Sequence, residues 1–452
     1  MNRMNHRIIK QSIIDPRLLL VFATFVSERF GMKTKFIVIG TGNRGVGCFA
    51  KGLLGFPGKG RPEFRDHAEL AALVDTNLTR GRTAAKECKL PDLPIFRTVA
   101  EAQSAVHADW CIITTPDNTH CQIATQALEA GLNVMIDKPL ATSVWECDKI
   151  IATMNRTGRK VLVGHNLRYM DGTVQAAQMV RDGVIGQVLL VEAAEILELN
   201  HGGSYFQRWH SDFSKSAGLM NHKGCHYLDL LCWILDDQPV EVSSFGERSF
   251  YVPKPDLNHA ERCLDCQLKT TCPHYYDMDR YDGVFRRLYK DSEGEDGYVT
   301  DRCVFSDRHT INDHESLNIR FARGTLASFC LNTFSPRSHS YFYFTGTKGR
   351  LELGHSSVDG KPYLRLVRPD KTVQNIDLAA DKGDHGHDDA DVLLIADMLG
   401  LPGSLPIQKA QPWEARRAVM IADMSSRSIS AGGRPVKAEE TGHDYPPAPP
   451  KK

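Results

Sequence analysis

The stretch from Lys33 to Gly164 alternates short apolar runs with segments of helical periodicity, and this alternation constrains the fold more than any other feature of the chain. The apolar runs read KFIVIG, ELAALVD, WCIITTP, NVMIDKP and KVLVGH, and the segments between them include TRGRTAAKEC, CQIATQALEAG and VWECDKIIATMNRTG. Strands that are apolar along their whole length and separated by helices are typical of a parallel sheet covered on both faces. The sequence therefore predicts an α/β, doubly wound, Rossmann-type domain over residues 32–164.

The first of these strands runs directly into three glycines with the spacing G-x-G-x-x-G, at Gly40, Gly42 and Gly45. In a dinucleotide-binding fold such a loop lets the backbone approach a pyrophosphate and opens a helix whose free N–H groups face the phosphates. Glycine turns between a strand and a helix also occur without a phosphate, so the loop alone is weak evidence. We expect Asn43 and Arg44, within the loop, to contact the cofactor.

The second apolar run ends in Asp75, where an acidic side chain of such a fold accepts hydrogen bonds from the adenosine ribose. A carboxylate there would repel a 2′-phosphate, which favours NAD over NADP. The distance from Gly40 exceeds the usual spacing of about 20 residues, and we interpret the Gly/Pro-rich segment GLLGFPGKGRPEFRDH as an inserted loop. Thr76 and Arg80 are further candidate cofactor contacts. Because Arg80 lies close to Asp75, NADP stays open as the alternative cofactor.

Residues 165–435 show a different pattern, with longer strands in which apolar and polar residues alternate. Examples are QVLLVEAAEIL, VEVSSFGERSF and SYFYFTGTKGRLEL, and turn signals such as ARGT and GTKG join neighbouring runs as hairpins. We expect a C-terminal α+β domain for substrate binding and oligomerisation, with a large, open, mostly antiparallel sheet packed on the helix that carries HKGCHYLDLLCWIL. The open sheet predicts a homodimer or homotetramer.

Three further motifs occur in a characteristic order: TTPDNTH at residues 114–120, DKPLA at 137–141 and HKGCHYLDL at 222–230. Together with the glycine loop they resemble the glucose-fructose oxidoreductase / inositol dehydrogenase family, Gfo/Idh/MocA, over nearly the whole of residues 32–430. The resemblance implies an NAD-dependent dehydrogenase that oxidises a secondary hydroxyl of a sugar, cyclitol or glycoside by hydride transfer. The alternative is an NAD-dependent glycoside hydrolase that uses transient oxidation, elimination and re-reduction.

The resemblance also implies roles for the residues of these motifs. It places Lys138 at the reacting hydroxyl and Asp137, which stands for the family's glutamate, near the nicotinamide ribose. His226 matches the proton-accepting histidine of the family's D-x-x-x-H, whereas His222 stands where the family has aspartate. On a regular helix His222, His226 and Asp229 share one face, and an imidazole titrates near neutral pH. We therefore expect Lys138, His226 and His222 to be catalytic, with Asp229 orienting His226.

Further contacts are expected around these motifs and in GHNLRYM and QRWH, where family members line the cleft. The remaining cofactor contacts are predicted to be Thr115, Pro116, Asn118, His120, Asp137, Lys138, Asn166 and Trp209. The predicted substrate contacts are Lys138, Arg168, Tyr169, Arg208, His210, His222 and His226. A regulatory protein without catalysis is disfavoured because Lys138 and His226 are both present, and a zinc ion held by the two helix histidines is disfavoured because no third ligand is evident.

A cysteine cluster lies in a polar insertion at residues 253–307. It consists of Cys263, Cys266, Cys272 and Cys303. C-x-x-C followed by two further cysteines fits a tetrahedral thiolate site, and a structural zinc would order a segment too poor in apolar residues to form its own core. Replacement of one cysteine by His274, an iron–sulfur cluster and four unligated thiols are the alternatives.

The formal net charge of the chain is zero, which gives no indication of a nucleic acid or an anionic membrane surface as a partner. The longest apolar run, at residues 18–26, is far shorter than the roughly 20 residues that span a bilayer. We expect a cytoplasmic protein with a small-molecule sugar or glycoside substrate, an N-terminal extension at residues 1–31 and a disordered tail at residues 436–452.

Overall fold

A computed structural model describes residues 33–280, 282–378, 389–402 and 408–442. The N-terminal half contains a parallel sheet with the strand order β3-β2-β1-β4-β5-β6. Its strands are β1 (Thr34–Ile39), β2 (Ala68–Val74), β3 (Ile95–Phe96), β4 (Trp110–Ile113), β5 (Asn133–Asp137) and β6 (Val161–Gly164). The strand order reverses between β1 and β4, which is where doubly wound sheets bind their ligands. The predicted Rossmann-type fold is confirmed.

Helices connect these strands and cover both faces of the sheet, which explains why the strands are apolar along their whole length. The longer ones are α1 (Leu78–Glu87), α2 (Val99–Ala105), α3 (His120–Glu129) and α4 (Val144–Thr157). The first crossover is less regular. It starts as a π-helical turn (Arg44–Ala50), continues through Lys51–Leu53 and a Gly/Pro-rich loop, and ends in the short helix Phe64–His67 before β2. The segment interpreted as an inserted loop therefore lies between β1 and β2.

The second half contains a sheet of nine strands in the order β14-β13-β12-β11-β7-β10-β9-β8-β15. They are β7 (Val188–Glu198), β8 (Pro239–Glu247), β9 (His314–Phe321), β10 (Leu326–Ser335), β11 (His339–Gly346), β12 (Gly349–His355), β13 (Pro362–Val367), β14 (Val373–Asn375) and β15 (Val436–Lys437). Neighbouring strands are antiparallel, except that β7 and β10 are parallel. The predicted open, mostly antiparallel sheet is confirmed.

One face of this sheet packs against helices, and the other face is open. The helices of this half are α5 (Asp171–Arg181), α6 (Leu199–Gln207), α7 (Cys225–Leu235), α8 (Ala390–Met398) and α9 (Pro412–Ser430). All side chains of α7 are buried because it lies between the sheet, α5 and α9. Helix α8 instead contributes Leu394 and Ile395 to the apolar core around β1 and β2. Among the described residues, no helix is long and apolar enough to cross a membrane.

The insertion at residues 253–307 is ordered by docking onto the nucleotide-binding half. The helical segments among its described residues are short turns, at Cys263–Asp265, Arg286–Lys290 and Glu293–Asp296. Leu288 of the insertion is fully buried in the same apolar cluster as Val46 and Leu73 of the Rossmann-type domain. The insertion is too poor in apolar residues to form a core of its own, and it is instead ordered by packing into the apolar core of the Rossmann-type domain.

The C-terminal segment differs from the prediction of a disordered tail. Val436 pairs with Val242 at the edge of the large sheet and is completely buried, and Ala438–Glu440 forms a turn of 3₁₀ helix. Residues 436–442 are ordered because this short strand closes the edge of the sheet beside β8. The rest of the predicted tail, and the predicted extension at residues 1–31, lie outside the described residues.

Candidate active site

A cleft of about 950 Å³ runs between the two halves of the protein. One wall is formed by the glycine loop and the carboxyl ends of β1, β2, β4 and β5, and the other by α6, α7 and the end of the insertion. The cleft brings together these predicted residues: Gly40, Gly42, Asn43, Arg44, Asp75, Thr76, Arg80, Thr115, Pro116, His120, Asp137, Lys138, Asn166, Arg208, Trp209, His210, His222 and His226. A single cavity thus joins the predicted cofactor residues to the predicted catalytic residues.

The glycine loop is closely packed on one side and lines the cleft on the other. Gly40 has a φ of +90°, and a Cβ there would lie 2.9 Å from the main-chain carbon of Thr114. A Cβ on Gly45 would lie 2.1 Å from the carbonyl oxygen of Gly40, so Gly45 packs against the strand and does not line the cleft. Gly42 faces the cleft, where a Cβ would meet only the side chain of Tyr289. Such an exposed main chain at the start of a helical segment fits the pyrophosphate of a dinucleotide.

At the adenosine end, Asp75 is buried and held by several donors. Its carboxylate accepts hydrogen bonds from the main-chain N–H and hydroxyl of Thr41, at 2.8 and 2.6 Å, and from the main-chain N–H of Asn77 at 2.8 Å. Arg80 lies 3.4 Å from Asp75 and pairs with Asp296 at 2.6 Å. Because two carboxylates already hold its guanidinium, Arg80 is not free to bind a 2′-phosphate, and this arrangement supports NAD.

Further along the cleft, Asp137 is paired with the glycine loop. Both carboxylate oxygens of Asp137 accept hydrogen bonds from the guanidinium of Arg44, at 3.0 and 3.1 Å. The same guanidinium contacts Asp391 of α8, which also accepts a hydrogen bond from Asn166 at 2.9 Å. The predicted cofactor contacts Arg44, Asp137 and Asn166 therefore form one network, which ties the glycine loop to the end of β5.

Lys138 follows Asp137 and turns towards the second half of the protein. Its ammonium donates a hydrogen bond of 2.8 Å to the main-chain oxygen of His222. His120 connects the segments that follow β4 and β5, since its two ring nitrogens lie 2.9 and 3.0 Å from the main-chain oxygens of Pro139 and Thr115. Burial lowers the pKa of His120, whereas its contacts with the two main-chain oxygens act in the opposite direction.

His222 forms a buried pair with Asp117, a residue that the sequence analysis did not select. His222 Nδ1 lies 2.7 Å from Asp117 Oδ2, and the imidazole is surrounded by the rings of Tyr205, Trp209 and His210 at centroid distances of 5.7, 5.3 and 4.3 Å. Burial lowers the pKa of His222 well below its usual value, and the charge of Lys138 acts in the same direction. Burial also raises the pKa of Asp117. The helix histidine that replaces the family's aspartate thus meets a carboxylate from the opposite wall.

His226 lines the same cleft one turn further along and lies edge-to-face against His165, with ring centroids 6.3 Å apart. Asp229 does not line the cleft, because its two oxygens each lie 2.7 Å from the buried guanidinium of Arg168. The expectation that Asp229 orients His226 is therefore not supported. The π-helical turn Met220–Gly224 precedes α7, and its wider turn spreads residues that a regular helix would place on one face.

Two family profiles match the chain. Residues 34–165 match the oxidoreductase family with an NAD-binding Rossmann fold, and residues 173–352 match the GFO/IDH/MocA C-terminal domain. The protein belongs to the Gfo/Idh/MocA oxidoreductase family. This confirms the resemblance seen in the motifs and shows that the chain is an oxidoreductase whose Rossmann domain is of the NAD-binding kind.

Individual relatives of this Gfo/Idh/MocA protein are diverse. It is 27% identical over 387 residues to a Bacillus subtilis protein named as the oxidoreductase YteT, covering 80% of this chain and 87% of that protein. It is 28% identical over 219 residues to inositol 2-dehydrogenase of Gluconacetobacter diazotrophicus, covering 46% and 62%. Over 111 residues it is 36% identical to alpha-N-acetylgalactosaminidase of Shewanella oneidensis, covering 23% and 24%. The solved WlbA dehydrogenase of Bordetella pertussis, in complex with NADH and UDP-GlcNAcA, superposes with a TM-score of 0.61 at 15% identity, covering 90% of this chain and 99% of that one.

Several predicted contacts of this Gfo/Idh/MocA oxidoreductase are not brought into the cleft. Arg168 is buried in its ion pair with Asp229, and the hydroxyl of Tyr169 donates to Asp397 at 2.7 Å, so neither lines the cleft. A buried guanidinium requires a carboxylate partner, which explains why Arg168 points into the core. Asn118 also lies outside the lining, although its neighbour Asp117 belongs to it.

Several residues of the lining were not selected from the sequence, among them Asp117 and Lys223. Asp117 lies four residues after the end of β4, at the edge where doubly wound sheets bind ligands, so its position in the sequence could have indicated it. Lys223 lines the cleft and pairs with Glu195 at 3.0 Å. The pairing of Lys223 joins the π-helical turn before α7 to β7, and no local pattern in the sequence indicates it.

The four cysteines of the insertion are free thiols in the structure. An antiparallel bridge between Arg262 and Arg302 places Cys263 and Cys303 on neighbouring segments, and the main-chain N–H of Tyr276 lies 3.4 Å from Cys263 Sγ. Burial raises the pKa of the Cys263 thiol to about 12. In the part of the chain that the structure describes, no three His, Cys, Asp or Glu side chains are arranged to hold a metal ion. The zinc site is therefore not supported.

Proposed function

We propose that this protein is an NAD-dependent oxidoreductase that oxidises a secondary hydroxyl of a sugar, cyclitol or glycoside by hydride transfer. The observation that carries the proposal is the single cleft with the glycine loop and Asp75 at one end and Lys138 and His226 at the other. When bound, NAD accepts a hydride from the carbinol carbon. The residues of the chain must then remove the hydroxyl proton and hold the charge that develops on the oxygen.

Lys138 and His226 are suited to these two tasks. Lys138 carries a positive charge to the cleft from the end of β5, and its hydrogen bond to the main-chain oxygen of His222 fixes the position of the ammonium. This charge stabilises the oxygen as it becomes negative. His226, on α7, is the general base that accepts the hydroxyl proton. Arg208 and His210 contact other parts of the sugar from the same wall of the cleft.

A second candidate function, an NAD-dependent glycoside hydrolase, is favoured by the Asp117–His222 pair. Simple dehydrogenation needs one proton acceptor, whereas elimination also needs a base for the proton on the carbon beside the new carbonyl and an acid for the leaving aglycone. After elimination, water adds to the double bond and a hydride and a proton return to the carbonyl, so the overall reaction is hydrolysis. The Asp117–His222 pair, with its 2.7 Å contact, supplies a second proton-handling group in the cleft.

The two functions are separated by one experiment. The purified protein is incubated with NAD and a panel of free sugars, cyclitols and p-nitrophenyl glycosides, and absorbance is followed at the wavelengths of NADH and of p-nitrophenolate. Accumulation of NADH supports dehydrogenation, and release of p-nitrophenolate without net NADH supports hydrolysis. If neither signal exceeds that of Lys138→Ala with any substrate, both functions are contradicted.

We also propose that copies of the chain associate through the open face of the large sheet. Leu190, Leu326 and Phe245 on this face are 42%, 44% and 65% exposed, and exposed apolar patches mark interaction surfaces. Light scattering on the eluting protein should give a dimer or tetramer. Leu326→Glu combined with Phe245→Glu should shift it to a monomer, whereas a wild-type monomer would contradict the proposal.

A further inference from the structure

The cysteine-rich insertion reaches back to the glycine loop of the Rossmann domain. Tyr289 accepts a hydrogen bond of 2.7 Å from the main-chain N–H of Asn43, one of the loop groups expected to face the pyrophosphate. Tyr289 thus lies directly against the glycine loop. Three residues further on, the main-chain oxygen of Ser292 accepts a hydrogen bond of 2.8 Å from Asn77, beside Asp75.

The contacts continue at the start of α1. The two carboxylate oxygens of Glu295 accept hydrogen bonds from the main-chain N–H groups of Leu78 and Thr79, at 3.0 and 2.9 Å, and one of them also accepts from Arg97 at 3.0 Å. A carboxylate at this position satisfies N–H groups that a helix leaves without an intrahelical partner. The Glu295 side chain, which belongs to the insertion, thus caps the N-terminus of α1 in the Rossmann-type domain.

The next residues form part of the wall of the cleft itself. Asp296 pairs with Arg80 at 2.6 Å, and the guanidinium of Arg80 lies 5.9 and 5.7 Å from the ring centroids of Tyr289 and Tyr298. Tyr289, Asp296 and Tyr298 all line the cleft at the end marked by Asp75. Aromatic rings beside a ribose-binding carboxylate suit the stacking of an adenine base.

We propose that residues 288–298 are a third component of the cofactor site, which covers the adenosine half of NAD and retains the cofactor between turnovers. This rests on the proposed function only in taking NAD as the hydride acceptor. The ion pair of Asp296, the cap by Glu295 and the hydrogen bond of Tyr289 all cross from the insertion to the Rossmann domain. Opening this end of the cleft would break these contacts, and this would slow the release of the cofactor.

The test measures cofactor release without any turnover. The protein is loaded with NADH, mixed with a large excess of NAD, and the decay of bound NADH fluorescence gives the release rate. The Glu295→Gln and Asp296→Asn double variant should release NADH at least about tenfold faster, because it loses charge-assisted hydrogen bonds. The matched control is Asp279→Asn, which removes an exposed ion pair with Arg286 inside the insertion, and its release rate should equal that of the wild type.

A second variant guards against misfolding. Tyr289→Phe keeps the ring and removes only the hydroxyl that contacts Asn43, and the release rate should still increase. Equal release rates for wild type, double variant and Tyr289→Phe, with unchanged melting temperatures, would overturn the proposed cover while leaving the proposed function intact. Failure of the wild type to bind NADH at all would overturn both.

Discussion

The two ends of the cleft differ in how their charged groups are neutralised. At the adenosine end Asp75, Arg80 and Asp296 pair with one another across two parts of the chain. At the reacting end, within the described residues, neither Lys138 nor Arg208 has a carboxylate within ion-pair distance; they donate to the main-chain oxygen of His222 and to Ser204. The adenosine end is thus organised before a ligand binds, whereas the reacting end keeps positive charge available for a substrate oxygen.

The largest expected effect comes from removing that charge. Lys138→Ala should lower kcat by about 10²- to 10⁴-fold, the range for loss of a group that acts on the reacting proton or oxygen, while NADH binding measured by fluorescence is retained. His226→Ala should behave in the same way. If Lys138→Ala instead weakens NADH binding and leaves kcat unchanged, the assignment of cofactor binding to one end of the cleft and of the reaction to the other is wrong.

The next effect concerns the buried pair at the reacting end. Asp117→Asn should lower kcat/KM about 10- to 100-fold, since disrupting one partner of a buried hydrogen bond costs about 1 to 3 kcal/mol. Asn118→Ala, at the neighbouring position outside the lining, is the matched control and should have little effect. A drop of equal size in both variants would show that the loop after β4 matters only for packing.

The pH dependence of kcat/KM should reflect the same Asp117–His222 pair. Burial lowers the pKa of His222 well below its usual value, so its imidazole stays neutral as the pH falls through 6.5 and is protonated only at lower pH. The wild-type kcat/KM should therefore show no loss attributable to His222 between pH 8 and 6.5. A loss centred near pH 6.5 that disappears in His222→Gln would contradict this assignment.

A smaller effect is expected at the adenosine end. Asp75→Ala should narrow the preference for NAD over NADP by about 1 to 2 kcal/mol, the scale of one charge-assisted hydrogen bond and the relief of its repulsion with a 2′-phosphate. Isothermal titration of both cofactors measures the difference. Equal affinity of the wild type for NADP would reject the role given to Asp75.

The smallest effect on the cleft should come from the cysteine cluster. Cys266→Ser should leave NAD affinity nearly unchanged, because Cys266 does not line the cleft. Limited proteolysis within residues 253–307 should not become faster, because packing against the Rossmann-type domain orders the insertion. Metal analysis of protein purified without chelator tests the zinc prediction directly. Less than a trace of zinc would agree with the absence of a ligand group among the described residues.

The fold and one wall of the site could be predicted because their signals are local. The apolar strands, the G-x-G-x-x-G loop, Asp75 and Lys138 each depend on a few consecutive residues at the end of a strand, where a doubly wound sheet binds its ligands. The roles of Asp229 and Arg168 could not be read in this way. Helical spacing placed Asp229 beside His226, but the ion pair with Arg168, far away in the sequence, decides where its carboxylate points.

The amino-acid sequence by itself determined the two sheets and the family, and it indicated candidate residues for binding NAD and moving a proton. Only the tertiary structure decided which of those residues meet: that Asp117 pairs with His222 across the cleft, and that Glu295 and Asp296 of the insertion reach the start of α1. The physical reason is that buried charges take whichever partner lies within hydrogen-bond distance, and that partner is set by packing between distant segments.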